Sequence, residues 1–122
     1  MEYSPEVKRR LRSPERVGIV RQPASPVVTG EAEDRSLNVW VRYQVGLRDG
    51  EIDSVRFEAY GCPHFVAAAD WHAAQLEGRP SAALAEPDTR GAREALGVPT
   101  EKLGKLLVIE NALAACATAV AA

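Results

Sequence analysis

A chain of 122 residues with 46% hydrophobic and 26% charged side chains has the composition of one globular domain, 1–122, with a modest core. No uninterrupted apolar run approaches the roughly 20 residues that span a bilayer, the alanine-rich end from Ala112 to Ala122 being too short, and Met1-Glu2-Tyr3-Ser4-Pro5 carries no apolar signal segment, so a cytoplasmic protein without membrane contact is expected. The formal charge of −2 conceals six basic against three acidic residues in 1–22, a net of +3, and −5 over the remainder; a basic arm bearing Arg9, Arg10 and Arg12 suits a protein partner, and no aromatic interleaves with it to stack a nucleic-acid base.

Ser4-Pro5-Glu6 reads as a helix start, with a capping hydroxyl, a proline at the first position and an acid in the first turn. That helix runs to about Arg12. Ser13-Pro14-Glu15-Arg16 repeats the signal as a turn ending at Gly18, and Val17, Ile19 and Val20 suit a short strand. Residues 22–36, with Pro23, Pro26, Gly30 and the acids Glu31, Glu33 and Asp34, read as a loop in which Val27-Val28-Thr29 adds an edge strand. From Leu37 to Val45 apolar and polar residues alternate. Arg48-Asp49-Gly50 turns the chain, and Ile52 begins a return strand with Val55, Phe57 and Ala59 on one face.

The helices follow. One spans 63 to about 77 and stops at Gly78, with Phe65, Ala68, Ala69, His72 and Leu76 near one stripe. Ser81-Ala82-Ala83-Leu84 starts a short turn, Asp88 to Leu96 is closed by Gly97, and a long helix from about Glu101 or Lys105 reaches Val120. The expected fold class is α+β: a small antiparallel sheet of two or three strands covered on one face by helices.

The chemistry centres on Ala59-Tyr60-Gly61-Cys62-Pro63-His64. Gly61 permits a tight bend, Pro63 suits the first helical position, and Cys62 falls at the helix N-terminus, where amide dipoles favour a thiolate. His64, two residues on, makes a Cys/His/Asp zinc site conceivable, although a surface or capping histidine is the plainer reading. His72 suits a satisfied packing role. Cys116, among alanines, reads as a small buried hydrophobe, and two cysteines make no disulfide framework. Trp40 and Trp71 suit sheet and helix surfaces, an exposed Trp40 being a candidate partner hot spot. Nothing resembles a phosphate-binding glycine loop, and a Cys62/His64 nucleophile pair lacks a third group, so no enzyme is expected.

The order of elements resembles the IscU/NifU-like iron–sulfur scaffold family over nearly the whole chain. Tyr3-Ser4-Pro5 with Ser13-Pro14-Glu15-Arg16-Val17-Gly18 is similar to that family's opening, and Asp53 through Cys62 matches its strand into tyrosine–glycine–cysteine. The resemblance implies a cluster or zinc site of three cysteines and an aspartate. Here Cys62 is the one cysteine in place and Asp34 falls at the aspartate, while Gly104 and Lys105 stand where the family has histidine and cysteine. Thiolates are the donors such a group needs, so the missing cysteines count against the iron–sulfur cluster or zinc that the family would hold as cofactor. Lys105 instead repels a metal and favours a nearby thiolate. Val98 to Leu103 resembles a chaperone-recognised stretch of which Pro99 and Lys102 remain. Pro99, Lys102 and Lys105 therefore join Arg9, Arg10, Arg12 and Trp40 as candidate partner-binding residues. The resemblance implies a divergent, accessory or regulatory assembly protein that accepts persulfide sulfur on Cys62 and meets a cysteine desulfurase. The alternative is an interaction module that keeps only the fold.

Overall fold

The computed structural model describes residues 3–14, 16–20 and 26–121. Glu2, Glu15, Arg21 and Pro23, which entered the reading of the basic arm and the loop, lie outside them. Four helices, α1 (Pro5–Arg12), α2 (Pro63–Leu76), α3 (Thr89–Leu96) and α4 (Leu103–Ala121), accompany a sheet of β1 (Val27–Asp34), β2 (Val39–Arg48) and β3 (Glu51–Tyr60). The sheet is antiparallel in the order β1-β2-β3, so the α+β expectation holds.

The central strand follows its alternation. Val39, Val41, Tyr43 and Val45 are buried, while Trp40, Arg42 and Gln44 lie half-buried between them. Strict alternation would put Ile52 and Val55 on opposite faces; a register shift at Gly46/Leu47, where Gly46 pairs with Ser54 and Leu47 with Ile52, lets both point inward. Three expectations are corrected. Leu37 and Asn38 lie in the turn before β2, with Asn38 at φ 58°, a left-handed position that asparagine tolerates. Residues 31–34 continue β1, pairing Glu31 with Arg42 and Asp34 with Val39, so the expected loop is strand. The short strand foreseen at 17–20 is a single bridge between Val17 and Phe57.

The helices begin and end as their caps dictate. Ser4 Oγ accepts from the Val7 amide at 3.3 Å and donates to the Leu96 carbonyl at 2.7 Å, tying the start of α1 to the end of α3. Asp88 accepts from the Gly91 amide at 2.9 Å, and Gly97 closes α3 in the left-handed conformation. The expected single stripe on α2 gives way to burial nearly all round, Phe65, Ala67, Ala68, Ala69, Trp71, Ala73 and Leu76 all being in the core. Its alanines let the sheet, α1, α3 and α4 approach closely. Trp71 is thus a core residue and not a surface cover.

Residues 100–121 make one helical stretch long and apolar enough to cross a membrane by length and composition, although Glu101, Lys102, Lys105 and Glu110 interrupt it as an apolar run. Here Leu106, Ile109, Ala112, Leu113 and Cys116 are buried, and the helix packs on β1 and β2.

Candidate functional site

Sheet and helix meet at Gly61. A Cβ there would fall 2.7 Å from the Phe65 ring and 3.1 Å from Val39 Cγ1, so only glycine lets β3 pass this closely into α2. The next residue, Cys62, is the N-cap of α2 in extended conformation, with Pro63 at the first helical position. Its thiol is half-buried and opens into a depression of about 450 Å³ lined by Leu37, Asn38, Tyr60, Gly61 and Lys105. Tyr60 stands 61% exposed at this mouth. Burial opposes the thiolate, but the Phe65 amide and the charges of Lys102 and Lys105 outweigh it, so the Cys62 pKa falls below the usual thiol value. Cys62 makes no capping hydrogen bond; the amide acts by facing the sulfur.

Asp34 lies at the end of β1 and lines an adjoining depression of about 200 Å³ with Trp40, Asn38 and Tyr60. Its carboxylate accepts from Ser36 Oγ at 2.6 Å and the Leu37 amide at 3.1 Å. Those hydrogen bonds hold its pKa below the usual carboxylate value and commit it to the turn. His64 is neither a surface nor a capping residue. It is 3% exposed, edge-on to Tyr3 at 4.7 Å, with Nδ1 3.0 Å from Lys102 Nζ. An ammonium only donates, so Nδ1 accepts and the imidazole is neutral. Burial first, then the charges of Lys102 and Lys105, depress its pKa, against the pull of Glu101.

Among the described residues, no three His, Cys, Asp or Glu side chains converge to hold a metal ion. The donors of Cys62, Asp34 and His64 are therefore not brought together, because one carboxylate is spent on a turn and one imidazole on a lysine. The residues present do not fit a zinc ion or a cluster, which need soft donors in a nearly closed shell.

The other candidates divide. Lys105 stands beside Cys62, as expected. Lys102 is turned inward onto His64 and Tyr3, and Pro99 precedes a 3-10 turn, Thr100–Lys102, so this stretch is folded structure rather than an open recognition peptide. Arg10 is committed too: 11% exposed, it donates to Asp70 Oδ2 at 2.6 Å and to Glu6. Arg9 pairs with Glu6, and Arg12 is exposed. Trp40 is half-buried with Arg42 5.8 Å over its ring, not an open hot spot. The sequence reading missed Tyr3, whose ring braces Lys102, and Asp70, which anchors α1 on α2. The serine cap that places Tyr3 was visible, but the pairing across 60 residues was not.

No protein-family model matches this sequence, and no curated protein matches it. Solved structures do match in fold. A protein of Fervidobacterium islandicum AW-1, assigned as an iron–sulfur cluster assembly scaffold for the SUF system, superimposes with a TM-score of 0.74 at 15% identity, over 94% of this chain and 96% of that one. The N-terminal part of a nitrogen-fixing NifU-like protein from Brucella abortus superimposes with a TM-score of 0.54 at 17% identity, over 93% of this chain and 79% of that one. With a three-stranded antiparallel sheet, four helices and a cysteine at the β3–α2 junction, the chain has an IscU/NifU-like fold.

Proposed function

We propose that this protein is a divergent, accessory member of the iron–sulfur cluster assembly machinery in which Cys62 accepts persulfide sulfur and does not hold a metal. The observation that carries the reading is a half-buried sulfur at a helix N-terminus, opening into a depression it shares with Lys105. A thiolate there attacks the outer sulfur of a donor persulfide. One S–S bond forms at Cys62, the donor's S–S bond breaks, and the donor leaves as a thiolate, so no outside oxidant or reductant is needed. Lys105 stabilises the attacking thiolate and the departing one alike. A cysteine desulfurase is the protein-borne donor that the fold likeness favours, and cytoplasmic location accords with that reading.

Incubation with a cysteine desulfurase and cysteine, followed by peptide mass analysis, tests it. One extra sulfur is expected on the Cys62 peptide and none on the Cys116 peptide, with complete loss in Cys62→Ser. Absence of Cys62-dependent sulfur overturns the reading. Iron or zinc retained by the wild type and lost in Cys62→Ser overturns its non-metal part.

A further inference from the structure

Lysine is ordinarily a flexible rod with its charge loose in water. Lys102 is held at two points instead. Its Nζ lies 3.0 Å from His64 Nδ1 and 5.3 Å over the Tyr3 ring, while that ring stands edge-on to His64 at 4.7 Å. His64 is buried on the first turn of α2, two residues after Cys62, so the helix fixes where the ammonium stands relative to the sulfur. Lys105 lines the depression into which the sulfur opens, and Lys102 stands outside that lining, on His64; the charges of both favour the Cys62 thiolate. No carboxylate lines the Cys62 depression. The carboxylate of Asp34 is bound into its turn, and Glu101 acts on His64.

We propose that Lys102, locked by His64 and Tyr3, is a specificity-determining residue of the Cys62 site and favours reagents with negative charge beside the atom attacked. Its biological corollary rests on the sulfur-acceptance reading: the preferred donor is a persulfide flanked by carboxylates. The fixed positive field attracts such a donor before reaction and screens the anionic group during it.

The test compares alkylation of Cys62 by iodoacetate and by iodoacetamide at low salt. Both reagents meet the same thiolate, which displaces iodide as the C–S bond forms, so the quotient of their rates cancels the thiolate fraction and reports the local field. Lys102→Gln should lower that quotient about threefold, Lys102→Arg should keep most of it, and the difference should vanish in 1 M salt, where screening acts within about 3 Å. His64→Leu should lower it similarly although Lys102 is still present. An unchanged quotient in Lys102→Gln overturns the proposal. A fall in Lys102→Gln without one in His64→Leu overturns the locking. If His64→Leu does not fold, His64→Gln, which keeps an acceptor, should preserve the quotient. The same samples treated with glutathione persulfide separate the two ideas: a normal quotient with no sulfur gained on Cys62 refutes sulfur acceptance and leaves the charge selection intact.

Discussion

The two cysteines sit at opposite extremes of one fold. Cys62 stands where strand becomes helix, half-buried, with Lys105 lining its depression; against burial, the Phe65 amide and the charges of Lys102 and Lys105 lower its pKa. Cys116 is fully buried on α4 against β1, where burial pushes its pKa up to about 12. Its sulfur lies under Gly30, so close that a Cβ on Gly30 would fall 2.6 Å from Sγ. The two histidines of α2 repeat the contrast. His64 at the open end is partnered by Lys102, while the buried His72 leaves Nε2 without a hydrogen-bond partner. It is not the satisfied packing histidine expected from its place on the helix. Charge and access make one cysteine reactive and the other a structural constraint, whereas the two histidines, both buried, differ in whether a partner meets the ring.

The largest effect expected from this contrast is in thiol reactivity. At pH 8 a thiol titrating at about 12 holds roughly one thiolate in ten thousand, and Cys116 is in addition closed to reagent. Native protein should therefore show one fast thiol, lost in Cys62→Ser, and a second that reacts orders of magnitude more slowly until denaturant is added. Peptide mapping after timed alkylation checks this. Comparable rates at both sulfurs would break the comparison outright.

Next comes His72. Burial lowers its pKa from 6.5 to about 4, against a weaker opposing pull from Asp88. Folding therefore excludes a proton that the unfolded chain binds below 6.5. Stability should be unaffected above that pH, should fall as pH drops from 6.5 to 4, and should have lost roughly 3 kcal/mol at the lower end. His64, also depressed, adds in the same direction; Glu77 and Glu6, held low by arginines and other hydrogen-bond donors, contribute only below about 4.5. Denaturation of wild type and His72→Leu across this range isolates the His72 share, and parallel curves for the two proteins would remove it.

The sheet core and the tyrosine–glycine–cysteine bend were legible because each obeys a local rule: alternation for β2, backbone permissiveness for Gly61. β1 was half legible. Its last four residues are mostly acidic, yet Val28, Gly30, Ala32 and Asp34 are buried or half-buried while Thr29, Glu31 and Glu33 are exposed. The alternation was present, written in residues too small to register as hydrophobic. Small residues are there because α4 lies on that face. The site was legible in Cys62 and Lys105, which adjoin as the order of elements implied. It was not legible in Lys102, Arg10 or Trp71. Lys102 and Arg10 are exposed-looking by type and Trp71 only by its place outside the expected helix stripe; each is drawn inward by one partner or packing surface far along the chain, which no local pattern encodes.

Glycine substitutions sharpen the contrast between interior and open end. Gly30→Ala would press a methyl group into Cys116 Sγ and the Ala112 carbonyl oxygen, both on α4. A backbone atom cannot move aside cheaply, so about 3 kcal/mol should be lost, with a fall of about 10 °C in Tm. Gly104→Ala should act in the opposite sense and more weakly. Gly104 is exposed in the first turn of α4, and an added Cβ meets only Leu37 Cδ1, at 3.8 Å, an ordinary contact. Its φ is not positive, so alanine fits without strain and restricts the unfolded chain, adding about 0.5 kcal/mol. Chemical denaturation of the two single variants reads both signs. A loss of stability in Gly104→Ala would mean that the open end is packed as tightly as the interior, and the distinction between the two sulfurs would then lose its structural basis.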